Sequence, residues 1–196
     1  PPTSEADANL ERENIPASQR IITGNTGIDA ILHVTQESSN QWYPEHTGRV
    51  ILLTTHRREN WGDIQTGIAQ AALKLVQTFP DTILVVPMHL NPTVRTTLKA
   101  VLENQPRVNL IEPPDYADFA KLMKRAHLIL TDSGGVQEEA PTFGVPVLVL
   151  RETTERPEGV AAGAAKLVGT NPEAIFNEAK NLLENPDAYA KMSNKP

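Results

Sequence analysis

The run Asp132-Ser133-Gly134-Gly135-Val136-Gln137-Glu138-Glu139 follows the apolar stretch Leu128-Ile129-Leu130-Thr131 and reads as a strand turning into a helix through two glycines. Glycine lets backbone approach a ligand closely, and the unpaired N–H groups and dipole of a first helical turn favour a phosphate. Ser133 stands where it can cap that helix and offer its hydroxyl. Glu139, four residues beyond Gly135, falls on the same helix face about 5–6 Å down the axis, a separation that suits a ribose beside its phosphate. Taken alone, two glycines fit a capped tight turn as well as a phosphate grip.

Other polar segments follow apolar runs. His56-Arg57-Arg58-Glu59-Asn60 brings three potential cations to one loop, which is either a field for a pyrophosphate or an ordinary solvated loop. Met88-His89-Leu90-Asn91-Pro92 supplies another histidine, with Pro92 suited to the first turn of a helix. Arg151-Glu152-Thr153-Thr154-Glu155-Arg156-Pro157-Glu158 adds arginines and hydroxyls that could close over a sugar or phosphate. Glu112-Pro113-Pro114-Asp115-Tyr116 is a rigid turn, able to face a planar base or merely to connect two elements. His33, His46 and His127 have no partners at metal-ligand spacing and read as structural or surface histidines; no metal site and no cofactor are expected. Asp132 is expected to cap the helix, Glu59 to pair with a neighbouring arginine, and Glu138 to stand beside Glu139, so none of the three suits a proton-transfer base.

What positions these segments is an alternation of short β-branched runs with longer amphipathic ones, the pattern of βαβ units around a mainly parallel sheet. Strands are predicted at 20–23, 50–55, 82–87, 108–111, 128–131, 145–150 and 166–168, and helices at 64–78, 117–126 and 174–183. Runs such as Val50-Ile51-Leu52-Leu53 are apolar throughout, as in strands covered on both faces. In such an α/β sheet ligands bind beyond the carboxyl ends of the strands, where the polar segments lie. Residues 38–48 read as a surface loop, 9–14 as a short helix or linker, and 1–19 as a lead-in to a Rossmann-like three-layer domain over 20–196.

With 196 residues, 39% hydrophobic and 21% charged, the chain suits one globular domain. A net charge of -6 argues against nucleic-acid partners. No run reaches the ~18–20 apolar residues of a membrane span, and the absence of cysteine fits a reducing, cytoplasmic setting. Opening on Pro1, the sequence is expected to be cut from something longer.

Taken together, these segments resemble the C-terminal domain of the non-hydrolysing UDP-N-acetylglucosamine 2-epimerases, a two-domain family of GT-B architecture. The likeness runs in order through Thr23-Gly24-Asn25-Thr26, Thr55-His56-Arg57-Arg58-Glu59-Asn60, Pro87-x-His89-x-Asn91-Pro92, Asp132-Ser133-Gly134-Gly135-x-Gln137-Glu138-Glu139-Ala140-Pro141 and Thr153-Thr154-Glu155-Arg156-Pro157-Glu158. It implies interconversion of UDP-GlcNAc and UDP-ManNAc through elimination and re-addition of UDP, in the service of cell-surface polysaccharide biosynthesis. It further implies that Ser133, Gly134 and Gly135 hold the diphosphate, Glu139 the ribose and Arg156 the sugar or phosphate region. His56 would act near the diphosphate and reacting sugar, while Arg57 and His89 would face a second, activating UDP-GlcNAc. An N-terminal domain carrying the acid–base carboxylates and a homodimeric full-length enzyme are implied as well. The other readings are a donor-binding domain of a GT-B glycosyltransferase and a UDP-sugar-binding module without chemistry. Incubating the full-length enzyme with UDP-GlcNAc and no acceptor separates them.

Overall fold

Six short runs, five of them rich in Val, Ile and Leu, pair into one parallel sheet in the computed structural model, which describes residues 1–37 and 42–193. The strands are β1 (Arg49–Thr54), β2 (Thr82–Pro87), β3 (Val108–Ile111), β4 (Leu128–Thr131), β5 (Val147–Val149) and β6 (Ala165–Leu167). Their order is β3-β2-β1-β4-β5-β6, with Ile51 opposite Leu84 on one side and Leu128 on the other. This is a Rossmann-like α/β sheet, and the chain reverses its direction of growth between β1 and β4.

Helices cover both faces, so nearly every residue of β1, β2, β4 and β5 is buried. On one face α3 (Asp63–Thr78) packs against α4 (Pro92–Leu102) and α8 (Pro172–Glu184). Ile68, Ala72 and Leu75 of α3 meet Leu53, Leu84, Leu98, Ile175 and Ala179 in the main core. The remaining crossovers are α5 (Tyr116–Arg125), α6 (Gly134–Glu139) and α7 (Pro157–Ala161), and α9 (Pro186–Ser193) follows α8. Capping fixes several starts: Asp115 accepts from Asp118 N at 2.9 Å, and Asn171 from Glu173 N and Ala174 N. None of the described helices is long and apolar enough to cross a membrane.

At the amino end of the sheet, arginines fasten loops by their carbonyls. Arg49 grips both Asp81 carboxylate oxygens at 2.7 Å and the Leu183 carbonyl at 2.7 Å. Arg107 binds the carbonyls of Phe79 and Thr82, and Arg125 those of His46 and Gly48. The His127 ring stacks on Tyr189 with centroids 4.3 Å apart, and the Tyr189 hydroxyl donates to the His127 carbonyl at 3.1 Å. Gly48 must be glycine here, because a Cβ would come within 2.0 Å of the Asp81 carbonyl oxygen.

The chain divides into two units, Pro1–Ser38 and Ser39–Pro196, and the sheet lies in the second. In the first, α1 (Ser4–Arg12) is capped by Thr3, and Arg20 bonds the Asp7 carbonyl at 3.0 Å and the Glu11 carboxylate at 3.3 Å. Then comes α2 (Thr26–Glu37). The strand expected at 20–23 does not form. Ile21 and Ile22 are 72% and 53% exposed, and Thr23 gives its N–H to the Pro1 carbonyl. β-branched residues favour a strand only where a neighbouring strand accepts their backbone. Of the loop expected at 38–48, residues 38–41 lie outside the described residues, while 42–48 is irregular and held by Trp42 Nε1 donating to the Asp118 carbonyl at 2.8 Å.

Candidate functional site

The tips of β1 and β4, the strands between which the chain reverses, carry a buried polar network. Thr54 and Thr131 join their hydroxyls at 2.6 Å across that boundary. Just beyond, the Asp132 side chain is fully buried and gathers donors from four residues of the loop after β1. They are Thr55 Oγ1, the backbone N–H and Nδ1 of His56, the backbone N–H of Arg57, and Asn60 Nδ2, all at 3.0–3.1 Å. Burial pushes the Asp132 carboxyl upward, yet the hydrogen bonds and charge of His56 and the N–H of Arg57 outweigh it, so the group stays below its ordinary range and ionised. Asp132 is therefore not the helix cap that the sequence suggests; it organises a loop 72–77 residues away.

Ser133 occupies the cap position of α6 in extended conformation, but its hydroxyl makes no capping bond. Its own N–H goes to Thr131 Oγ1 at 3.0 Å, and its carbonyl takes Gln137 Nε2 at 3.1 Å. The hydroxyl is thus not committed to the helix, and it lines a cleft of about 370 Å³ together with Thr55, His56, His89, Pro114 and Tyr116. Helix geometry leaves the first-turn N–H groups of Gly134 and Gly135 without intrahelical acceptors. Pro113 and Phe119 add apolar wall to the same cleft.

Arg57, Arg151 and Arg156 have carboxylate partners. Arg57 Nη2 binds Glu155 at 2.8 Å, Glu155 binds Arg151 at 2.5 Å, and Arg151 binds Glu59 at 2.9 Å. Glu59 thus pairs with an arginine 92 residues away rather than a neighbour, because it sits in the 3-10 turn Arg58–Asn60 facing the segment after β5. The Glu155 carboxyl is held down at about 2 by its own backbone N–H, Arg151 and Arg57. This carboxylate lies directly over the start of α6, where a Cβ on Gly134 would come within 3.3 Å of it. Arg156 pairs with Glu138 and donates its N–H to Thr154 Oγ1, whose hydroxyl bonds buried Gln137 Oε1 at 2.6 Å.

Glu139 lies one turn below Gly135 and accepts from the Tyr116 hydroxyl at 3.2 Å. Its half-burial raises the carboxyl above its ordinary value, against the Tyr116 bond and with help from Glu138. The exposed His89 ring stacks on His56 at 5.4 Å and 17°. The fold therefore brings His56, His89 and Ser133 to one cleft, with Gly134, Gly135, Arg57 and Glu139 on the same loops and helix. Arg156 stands on the flank with Glu138. His46 and His127 lie at the opposite end of the sheet, and among the described residues no three acidic or histidine side chains could hold a metal ion. Sequence reasoning missed the central place of Asp132 and Gln137, both buried polar side chains flanking the glycine turn; a charged residue ending an apolar strand was the available signal.

Comparison with known proteins bears directly on this cleft. The family described as UDP-N-acetylglucosamine 2-epimerase matches residues 1–196. The chain is 48% identical to the UDP-N-acetylglucosamine 2-epimerase of Bacillus subtilis over 194 residues, covering 98% of this chain and 51% of that protein. It superposes on the Neisseria meningitidis UDP-GlcNAc 2-epimerase bound to UDP-GlcNAc with a TM-score of 0.93 at 44% identity, covering 100% of this chain and 55% of the other. A Staphylococcus aureus MnaA–UDP complex gives a TM-score of 0.93 at 43% identity, covering 99% and 54%. The chain spans about half the length of the curated relatives it matches.

Proposed function

Because the chain belongs to the UDP-N-acetylglucosamine 2-epimerase family, we propose that it is the UDP-holding, C-terminal half of an enzyme that interconverts UDP-GlcNAc and UDP-ManNAc without hydrolysing them. The observation that carries this reading is the cleft at the β1/β4 reversal, lined by Ser133 and a stacked histidine pair, with the glycine turn and the half-buried Glu139 carboxylate on the helix that Ser133 opens. Ser133, Gly134 and Gly135 take the diphosphate through the Ser133 hydroxyl and first-turn N–H groups. Glu139 accepts the ribose hydroxyls in place of Tyr116, and Pro113, Pro114 and Phe119 enclose the base.

The reaction breaks the bond between C1 of the sugar and the diphosphate, so charge grows on the leaving oxygen. His56, at the cleft wall beside Ser133, is placed to stabilise it, since a preoriented donor is worth most where charge develops. Arg156 reaches the sugar or phosphate region once it leaves Glu138. Arg57, paired with Glu155, and the exposed His89 face a second UDP-GlcNAc.

Proton transfer at C2 belongs to the rest of the enzyme. Asp132, Glu59 and Glu138 are each engaged, by the loop after β1, by Arg151 and by Arg156 respectively. The 196-residue chain is therefore expected to bind UDP weakly and to leave UDP-GlcNAc unchanged, whereas the full-length enzyme produces UDP-ManNAc. Proton NMR of both with UDP-GlcNAc tests this: conversion by the 196 residues alone would put the acid–base groups on this half, and no conversion by the full-length enzyme would overturn the epimerase reading.

A further inference from the structure

We propose that Asp132 is a positioning residue that acts through His56, fixing its imidazole as the Nδ1–H tautomer so that Nε2 is the ring atom offered to the cleft. The proposal rests on the reading above, in which His56 meets the leaving diphosphate. It adds a buried carboxylate that determines which face and which nitrogen of that ring the ligand finds.

The geometry is specific to individual atoms. Asp132 Oδ1 lies 3.1 Å from His56 Nδ1, while Oδ2 collects Thr55 Oγ1, the Arg57 N–H and Asn60 Nδ2 at 3.0 Å each. The His56 backbone N–H is shared between both oxygens at 3.1 and 3.0 Å, and the His56 carbonyl accepts Trp61 Nε1 at 3.1 Å. The residue is therefore held at its N–H, its carbonyl and one ring nitrogen. An ionised carboxylate only accepts, so the ring nitrogen facing it must carry the proton. The other ring face rests against His89, which leaves the Nε2 edge as the free one. Asn60 locks the carboxylate in turn by bonding the Leu150 carbonyl at 3.2 Å, tying the arrangement to the end of β5.

Asp132→Asn isolates the effect. The single amide oxygen is needed where Oδ2 stands, against three donors, so the amide NH₂ must face His56 Nδ1 and donate to it. That reverses the tautomer while leaving volume and most of the loop's bonds intact. In ¹⁵N-resolved NMR of the ring at about pH 8.5, well above the ordinary histidine range, the parent protein is expected to show Nδ1–H and the variant Nε2–H. In the full-length enzyme the variant is expected to lose on the order of 10²-fold in kcat with a smaller change in KM, the signature of a wrongly presented imidazole. Adding Asp132→Asn to His56→Ala should then cost little more, because both act through one ring.

An Nε2–H ring in the parent protein overturns the proposal, and this reading stands even if the variant fails to fold. Multiplicative losses in the double variant overturn it as well, since Asp132 would then act independently of His56. Calorimetric titration of the same samples with UDP separates the two layers: an Nδ1–H ring in a protein that binds no UDP overturns the nucleotide reading and keeps the Asp132–His56 pair, whereas an Nε2–H ring in a protein that binds UDP overturns the pair alone.

Discussion

At the amino end of the sheet, Arg49, Arg107 and Arg125 each reach backbone carbonyls, Arg49 gripping the Asp81 carboxylate as well, whereas at the carboxyl end Arg57, Arg151 and Arg156 pair chiefly with the carboxylates of Glu155, Glu59 and Glu138. A carbonyl is part of the chain and cannot swing away, so the first kind of contact is a permanent fastening. A carboxylate on a rotatable side chain is a stand-in that another anion can replace. On the proposed reading, the same residue type supports folding at one end and exchange with a ligand at the other. Changes at the amino end should cost stability and spare binding, and changes at the carboxyl end should do the reverse.

The most severe test is His56→Ala in the full-length enzyme, expected to lower turnover on the order of 10²–10³-fold through lost stabilisation of the leaving diphosphate. Melting temperature should barely move, and steady-state kinetics beside thermal melts will tell. At the other end, Gly48→Ala forces a methyl group against the Asp81 carbonyl. It should destabilise by about 1–3 kcal/mol by urea unfolding, with UDP affinity per folded molecule unchanged; weakened binding there would break the division. Glu139→Gln is expected to cost about 1.5–3 kcal/mol of UDP affinity by calorimetry, the worth of charge-assisted ribose contacts, while unfolding free energy stays put.

A pH scan sharpens the contrast further. Burial and the nearby Arg49 cation depress the His127 imidazole from 6.5 to about 4. The unfolded chain therefore takes up this proton first, so the contribution of neutral His127 is complete above pH 6.5 and is lost as pH falls through 4. The melting temperature should decline across that window, and His127→Phe, which keeps the stack on Tyr189, should flatten the decline. The smallest expected effect is that of Glu155→Gln. Removing the stand-in anion over Gly134 should tighten UDP by at most about five-fold, the worth of an exposed ion pair. Weaker binding would mean that Glu155 holds Arg57 and Arg151 in place rather than competing for them.

Much of this architecture was legible in the sequence because continuous apolar runs such as Ile83-Leu84-Val85-Val86 have few other readings, and the helix after β1 was missed by only one residue at its start. The strand expected at 20–23 shows the limit, since pairing requires a partner that local composition cannot reveal. The glycine turn into a helix, with Glu139 one turn further on, was legible because these residues lie within eight positions of one another. The Asp132 contacts, the Arg151–Glu59 pair and the Thr154–Gln137 bond were not. Each joins loops that become neighbours only when β4 is laid between β1 and β5.

The hydroxyl bond between Thr54 and Thr131 spans 77 residues of sequence. Such a closure carries a large loop entropy and high contact order, so it belongs to the slow part of folding. A nascent chain emerging from the ribosome has β1, β2 and β3 available for pairing before residue 132 has been made, yet it owns no cleft until β4 inserts beside β1. A ligand held in that cleft would therefore meet only molecules that have already passed this step, acting as a latch on the finished sheet and never as a template for it.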